Sequence, residues 1–192
     1  MMRNNIYNKV LGLAVAALTL AACADTWNDH FEGSSQGAQD GSLWQAIKQN
    51  SNLSNFASVV AACGYDMSLD GTQVFTVFAP TNDHFSSEEA AKLITQYNQE
   101  KGKVSDDDNS VIKVFVQNHI ALFNHSVSPS SNDSLTLMNG KNAILTSGSI
   151  NNASFLSTNQ LYRNGVLFVI GETINYEPTV FEYLRKDADL DS

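Results

Sequence analysis

The residues of this chain best suited to acid–base, nucleophilic or metal chemistry are four histidines, two cysteines and a few clustered carboxylates. His30, His84, His119 and His125 are far apart, and no two of them form the paired-histidine helical motif of a zinc site. Glu88-Glu89 could suggest an acid/base carboxylate pair, but adjacent helical residues point in different directions. Asp106-Asp107-Asp108 lacks the alternating spacing and the glycine of a calcium loop. There is no glycine-rich phosphate loop and no G-x-S-x-G nucleophile turn. Cys63 falls at the apolar end of a predicted helix and reads as a small buried hydrophobe, with no local base to activate it. The expectation is a non-enzyme with no catalytic residue, metal or cofactor.

Cys23 has a different chemistry. Arg3 and Lys9 give a basic start, Val10 to Leu20 is an apolar run, and the run ends in Leu20-Ala21-Ala22-Cys23. The run is too short for an ordinary membrane span, which needs about 20 apolar residues, and it suits the core of a signal peptide. The ending resembles the bacterial lipobox. That resemblance implies cleavage before Cys23 and a lipid thioether on its sulfur, so the membrane is the first expected partner. Removal of residues 1–22 takes Arg3 and Lys9 and leaves nine basic against twenty acidic residues, a net charge of −11. Such a charge repels phosphate backbones and argues against nucleic-acid binding.

Apolar residues make up 43% of the 192, enough for an ordinary core in one domain with a tail. Residues 23–41 read as a flexible acidic tether, with Asp25, Asp29 and Glu32 followed by glycine, serine and glutamine. Some Gram-negative lineages use acidic residues after the lipidated cysteine to send lipoproteins to the outer face of the outer membrane, and by analogy a surface position is expected here.

From Ser42 the chain turns helical. Ser42 suits an N-cap for Leu43, Trp44 and Ile47. Leu53, Phe56, Ala57, Val60 and Cys63 follow at helical spacing, closed by Gly64. Gln73 to Phe78 reads as a strand stopped by Ala79-Pro80, and Thr81, Asn82 and Asp83 as a turn that Asn82 holds through local backbone bonds. Ser86 and Glu89 form a capping box for a helix to about Tyr97. The three aspartates are expected to open a further helix that buries Val111, Val114, Phe115 and Ile120. Leu135–Met138, Asn139-Gly140 and Ala143–Leu145 read as a hairpin with a two-residue turn. Phe155-Leu156 and Val166–Ile170 read as further strands, with Asn164-Gly165 as a turn between them. Pro178 starts a last helix with Phe181 and Leu184 on one face. This mixed order predicts an α+β domain.

The stretch from Phe75 to Phe85 resembles the first signature of the fasciclin-like domain, roughly T-x-F-A-P-T-N-x-A-F, with His84 where a small residue is usual. Asn164 to Ile170 resembles the second. His119 matches the histidine of a Tyr-His pair between them, with Asn118 in place of the tyrosine. The resemblance implies a β-sandwich-like wedge with helices packed around it over residues 42–175. It also implies an adhesion or interaction role without catalysis. Thr81, Asn82 and His119 are the family-motif residues, structural or interacting, and His119 reads as a hydrogen-bonded core histidine. Residues 176–192 are then a C-terminal helix and tail, which either packs back on the domain or leads towards a second one.

The functional expectation is a surface lipoprotein of the outer membrane that holds a protein, a glycan or a matrix component. The alternative is an accessory subunit of a glycan or nutrient uptake system.

Overall fold

The computed structural model describes residues 38–186. The signal segment, Cys23 and most of the tether therefore lie outside the described residues, as do residues 187–192. None of the described helices is long and apolar enough to cross a membrane.

Three helices come first: α1 (Leu43–Gln49), α2 (Ser54–Ala62) and α3 (Asp66–Asp70), with a 3-10 turn at Ser51–Leu53. Ser42 caps α1 in a full capping box with Gln45. Gly64 takes a positive φ of 77° just past α2. Strand β1 (Phe75–Pro80) leads through the Thr81 turn to α4 (Ser87–Glu100). Ser86 and Glu89 cap α4 reciprocally, which satisfies two of the orphan donors at its start.

The aspartate triplet does not open the next helix. It forms an isolated 3-10 turn capped by Ser105, and Asn109 is extended. The helical segment starts at Ser110, where the Glu100 carboxylate accepts from the Ser110 amide at 2.6 Å and Asn109 Oδ1 accepts from Val111 N at 3.1 Å. The segment widens to a π-turn over Ile112–Val116 and tightens to a 3-10 turn over Gln117–His119. Ile120 belongs to β2 (Ile120–Leu122), not to the helix.

The remaining strands are β3 (Asn132–Thr136), β4 (Asn142–Thr146), β5 (Ser149–Ile150), β6 (Ala153–Tyr162) and β7 (Gly165–Ile170). They form one sheet in the order β2-β1-β7-β6-β5-β4-β3. Asn139-Gly140 does turn the β3–β4 connection, but within a three-residue loop. Leu137 N donates to Lys141 O at 2.8 Å and only Gly140 of the pair has a positive φ, so the two-residue form is excluded.

β1 and β7 run parallel in full register and are buried at every position. Alternation divides them between two cores. Phe75, Val77, Ala79, Leu167 and Val169 face the helices. Phe78, Val166, Phe168 and Ile170 face a second core with Leu135, Leu145 and Ile150. That second core exists because the sheet curls on itself. Its two edges meet where Met138 N donates to Ile120 O at 2.8 Å and Ala121 bridges Leu137. Two register shifts in β6 accompany the bend, since bulges increase local twist. The α+β wedge with helices packed around it is therefore present.

Gly165 is where β7 must pass β1 most closely. Its φ is 150°, and a Cβ there would sit 1.9 Å from the Phe75 carbonyl oxygen. Asn164 beside it is buried and spans two elements. Its Oδ1 accepts from Leu43 N at 2.9 Å and its Nδ2 donates to Leu69 O at 2.8 Å.

The last helix, α5 (Val180–Lys186), leaves the residues expected to share a face exposed. Phe181 is 79% exposed and Leu184 44%. What holds α5 is Glu182. Its Oε1 lies 2.5 Å from Lys113 Nζ and its Oε2 2.6 Å from Lys141 Nζ. Tyr176 Oη also donates to Oε1, at 2.7 Å.

Candidate functional site

The turn after β1 is built from Thr81 and Asn82. The Thr81 carbonyl accepts from His84 N and Phe85 N, which closes the turn before α4. Thr81 is buried, and its hydroxyl has no hydrogen-bond partner among the described residues. Asn82 corrects the expectation of local bonds, because its side chain reaches across to the start of α2. Its Oδ1 accepts from Asn55 N at 3.1 Å, and its Nδ2 donates to Ser51 O at 2.9 Å and to Ser54 Oγ at 3.0 Å. Asn82 therefore ties two segments together and satisfies groups at a helix N-terminus. Sequence spacing alone does not reveal these partners, which lie 27 to 31 positions away.

His119 is wholly buried at the other end of the helical layer, with its ring against Phe56 and Phe115. Nδ1 donates to Phe115 O at 2.8 Å, and Nε2 accepts from Ile174 N at 3.0 Å. A carbonyl only accepts and an amide only donates, so the ring is the neutral Nδ1–H tautomer. Burial lowers its pKa to about 4, with the bond to Phe115 acting against that shift. Asn118 stands where the motif usually has tyrosine. Its Nδ2 donates to Ile174 O at 2.9 Å and its Oδ1 accepts from Asn139 at 2.8 Å. Asn118 and His119 thus grip both backbone polar groups of Ile174.

Beside this grip lies an open cavity of about 240 Å³. Asn118, Asn142, Asn151, Asn175, Glu177 and Lys141 line it, and they come from four separate segments. Two of the amides are fixed by one bond each. Asn142 Oδ1 accepts from Thr136 Oγ1 at 3.1 Å, and Asn151 Oδ1 accepts from Ile144 N at 2.8 Å. The side chains of Asn175 and Glu177 bond to no other described residue. None of these four was singled out from sequence. A run of asparagines in a strand-rich region also reads as turn chemistry. Asn151 plays that part too, with a φ of 46°.

The other chemically capable groups are elsewhere. Cys63 is buried, and burial pushes its thiol up to about 12. The lysines and the Tyr176 hydroxyl that bond Glu182 hold its carboxyl far below the usual range, so it stays ionised. Among the described residues no three His, Cys, Asp or Glu side chains converge as metal ligands. Thr81 and Asn82 lie at the β1–α4 turn and His119 beneath the cavity wall, so the three motif residues do not form one cluster.

The sequence matches the family model described as Fasciclin domain over residues 51–175. No curated protein is a match. Among solved structures, a FAS1 domain pair from the insect cell adhesion molecule fasciclin I is similar, at 14% identity and a TM-score of 0.49. That match covers 71% of this chain and 51% of the other, so the chain spans about half the length of the protein it resembles.

Proposed function

The chain belongs to the fasciclin domain family, whose members are associated with cell adhesion and interaction, and from that premise we propose that it is a non-catalytic binding module tethered to the outer membrane by a lipid on Cys23. The module faces the cell exterior and holds a protein, a glycan or a matrix component. The order of basic start, apolar run, small residues and cysteine over residues 1–23 supports the tether. Two or three acyl chains anchor stably, because each buried methylene contributes about 0.8 kcal/mol.

One observation carries the non-catalytic reading: the motif residue best suited to proton transfer is already spent. Both ring nitrogens of His119 are bonded to backbone, inside the core. Glu182 is locked between two lysines and cannot serve as an acid near neutral pH. Among the described residues Glu177 is then the one carboxylate that lines the cavity, and hydrolysis of a glycosidic bond ordinarily takes a pair. The second reading, an accessory subunit for glycan uptake, is favoured by the amide lining of the cavity.

Fractionation of cells expressing the full chain tests the tether. The parent protein sediments with membranes and is clipped by protease added to intact cells, while Cys23→Ser is released to the soluble fraction. A Cys23→Ser protein that still sediments contradicts the lipid assignment. A parent protein that intact cells shield from protease contradicts the outward orientation.

A further inference from the structure

The cavity beside the His119 grip offers a mixture of donors and acceptors. Asn142 and Asn151 each use their carbonyl oxygen on the protein, and their Nδ2 hydrogens have no partner among the described residues. Asn175 contributes a whole amide and Glu177 a carboxylate, both without a described protein partner. Asn118 is fixed by two bonds and supplies a rigid polar floor.

The charge is settled as well. Lys141 shares the Glu182 carboxylate with Lys113 and lies 5.0 Å from the centre of the Tyr176 ring, so it is held in place and the cluster keeps one positive charge. Glu177 balances that charge, so the cavity is close to neutral, on a chain whose net charge is −9. Anionic ligands are disfavoured there. An apolar ligand would strand the amide hydrogens and carboxylate oxygens. A ligand that suits the lining is neutral and carries several groups that each donate and accept, which describes the vicinal hydroxyls of a sugar. At about 30 Å³ per water, 240 Å³ holds about eight waters, the scale of a single sugar ring.

We propose that this cavity is a binding site for a neutral saccharide ring, with Asn175 and Glu177 as its principal contacts and Asn142 and Asn151 as donors opposite them. The inference rests on the binding-module reading and names the ligand class of that module. Among the described residues no aromatic ring lines the cavity to stack on the sugar. Single-ring affinity is therefore weak, about millimolar, and a polymer that presents many rings is the better probe.

The experiment is affinity electrophoresis of the full chain through native gels containing soluble starch, xylan or galactomannan, with polygalacturonate as the acidic comparator. At least one neutral polymer retards the protein and polygalacturonate does not. The double substitution Asn175→Ala with Glu177→Ala weakens that retardation about thirtyfold, the scale of two lost hydrogen bonds. Neither side chain bonds the described protein, so the variant melts at the parent's temperature. No retardation by any neutral polymer, retardation by polygalacturonate alone, or retardation that survives the double substitution overturns the site. Such a failure beside an intact Cys23→Ser release removes the saccharide and leaves the tethered module standing. A Cys23→Ser protein that stays in membranes removes the tether instead.

Discussion

His119 and Ile174 stand 55 positions apart and meet inside the protein, where the imidazole Nε2 accepts the Ile174 amide hydrogen at 3.0 Å. That bond, with the one from Asn118 to the Ile174 carbonyl, joins the end of the helical layer to the segment after β7. The same segment carries Asn175 and Glu177, so the histidine positions one wall of the cavity from beneath.

Replacing the histidine tests this. His119→Leu keeps an apolar filling but leaves Ile174 N and Phe115 O without their partner in the core. The expected loss is about 2–4 kcal/mol, measured by urea unfolding. A loss below about 1 kcal/mol would mean the grip is incidental.

The same residue makes stability fall towards acid. The folded state holds His119 neutral down to about pH 4, whereas an unfolded histidine takes a proton near 6.5. Its contribution is complete above pH 6.5 and is lost as the pH falls from 6.5 to about 4, because the unfolded chain then binds the extra proton. At about 1.4 kcal/mol per pH unit, the loss is about 3 kcal/mol. A folded protonated ring would also face the Ile174 N–H donor to donor. Unfolding free energies across that range should show the slope in the parent and a flatter one in His119→Leu.

The neighbouring motif residues should respond in opposite directions. Asn82→Ala removes three bonds to the start of α2 and costs about 2 kcal/mol. Thr81→Val replaces a buried hydroxyl that has no described partner with a methyl of similar shape. It should be neutral or stabilising by up to about 1 kcal/mol. Thermal melts of the two variants distinguish them.

Local chemistry was the legible part of the sequence. The capping boxes at Ser42 and Ser86, the stop at Gly64 and the buried β1 and β7 all depend on residues within a few positions of one another. What could not be read depends on closure of the fold. Asn82 reads as a turn former because its partners near Ser51 become neighbours only when the turn after β1 meets the start of α2. Ile120 continues the helical spacing, yet it pairs with Val77 as a strand residue. The cavity is the extreme case, since its lining assembles only after the sheet has curled and Glu182 has brought α5 to the two lysines.

Gly165→Ala tests the closest approach in the sheet. The added methyl would meet the Phe75 carbonyl at 1.9 Å and the Leu43 side chain at 2.6 Å, with no flexible neighbour to yield on the strand side. The expected cost is about 4 kcal/mol or more, seen as loss of soluble folded protein. Gly64→Ala is the control. It has open space around it and only a left-handed backbone to strain, at about 1–2 kcal/mol. Equal effects of the two would contradict the packing account.

The tether is the claim on which the surface module depends, and the mass of the mature N-terminal peptide from purified envelopes tests it most directly. The account predicts a chain that begins at Cys23 and carries a diacylglyceryl thioether on its sulfur. A free Cys23 thiol, or residues 1–22 still attached, would contradict it.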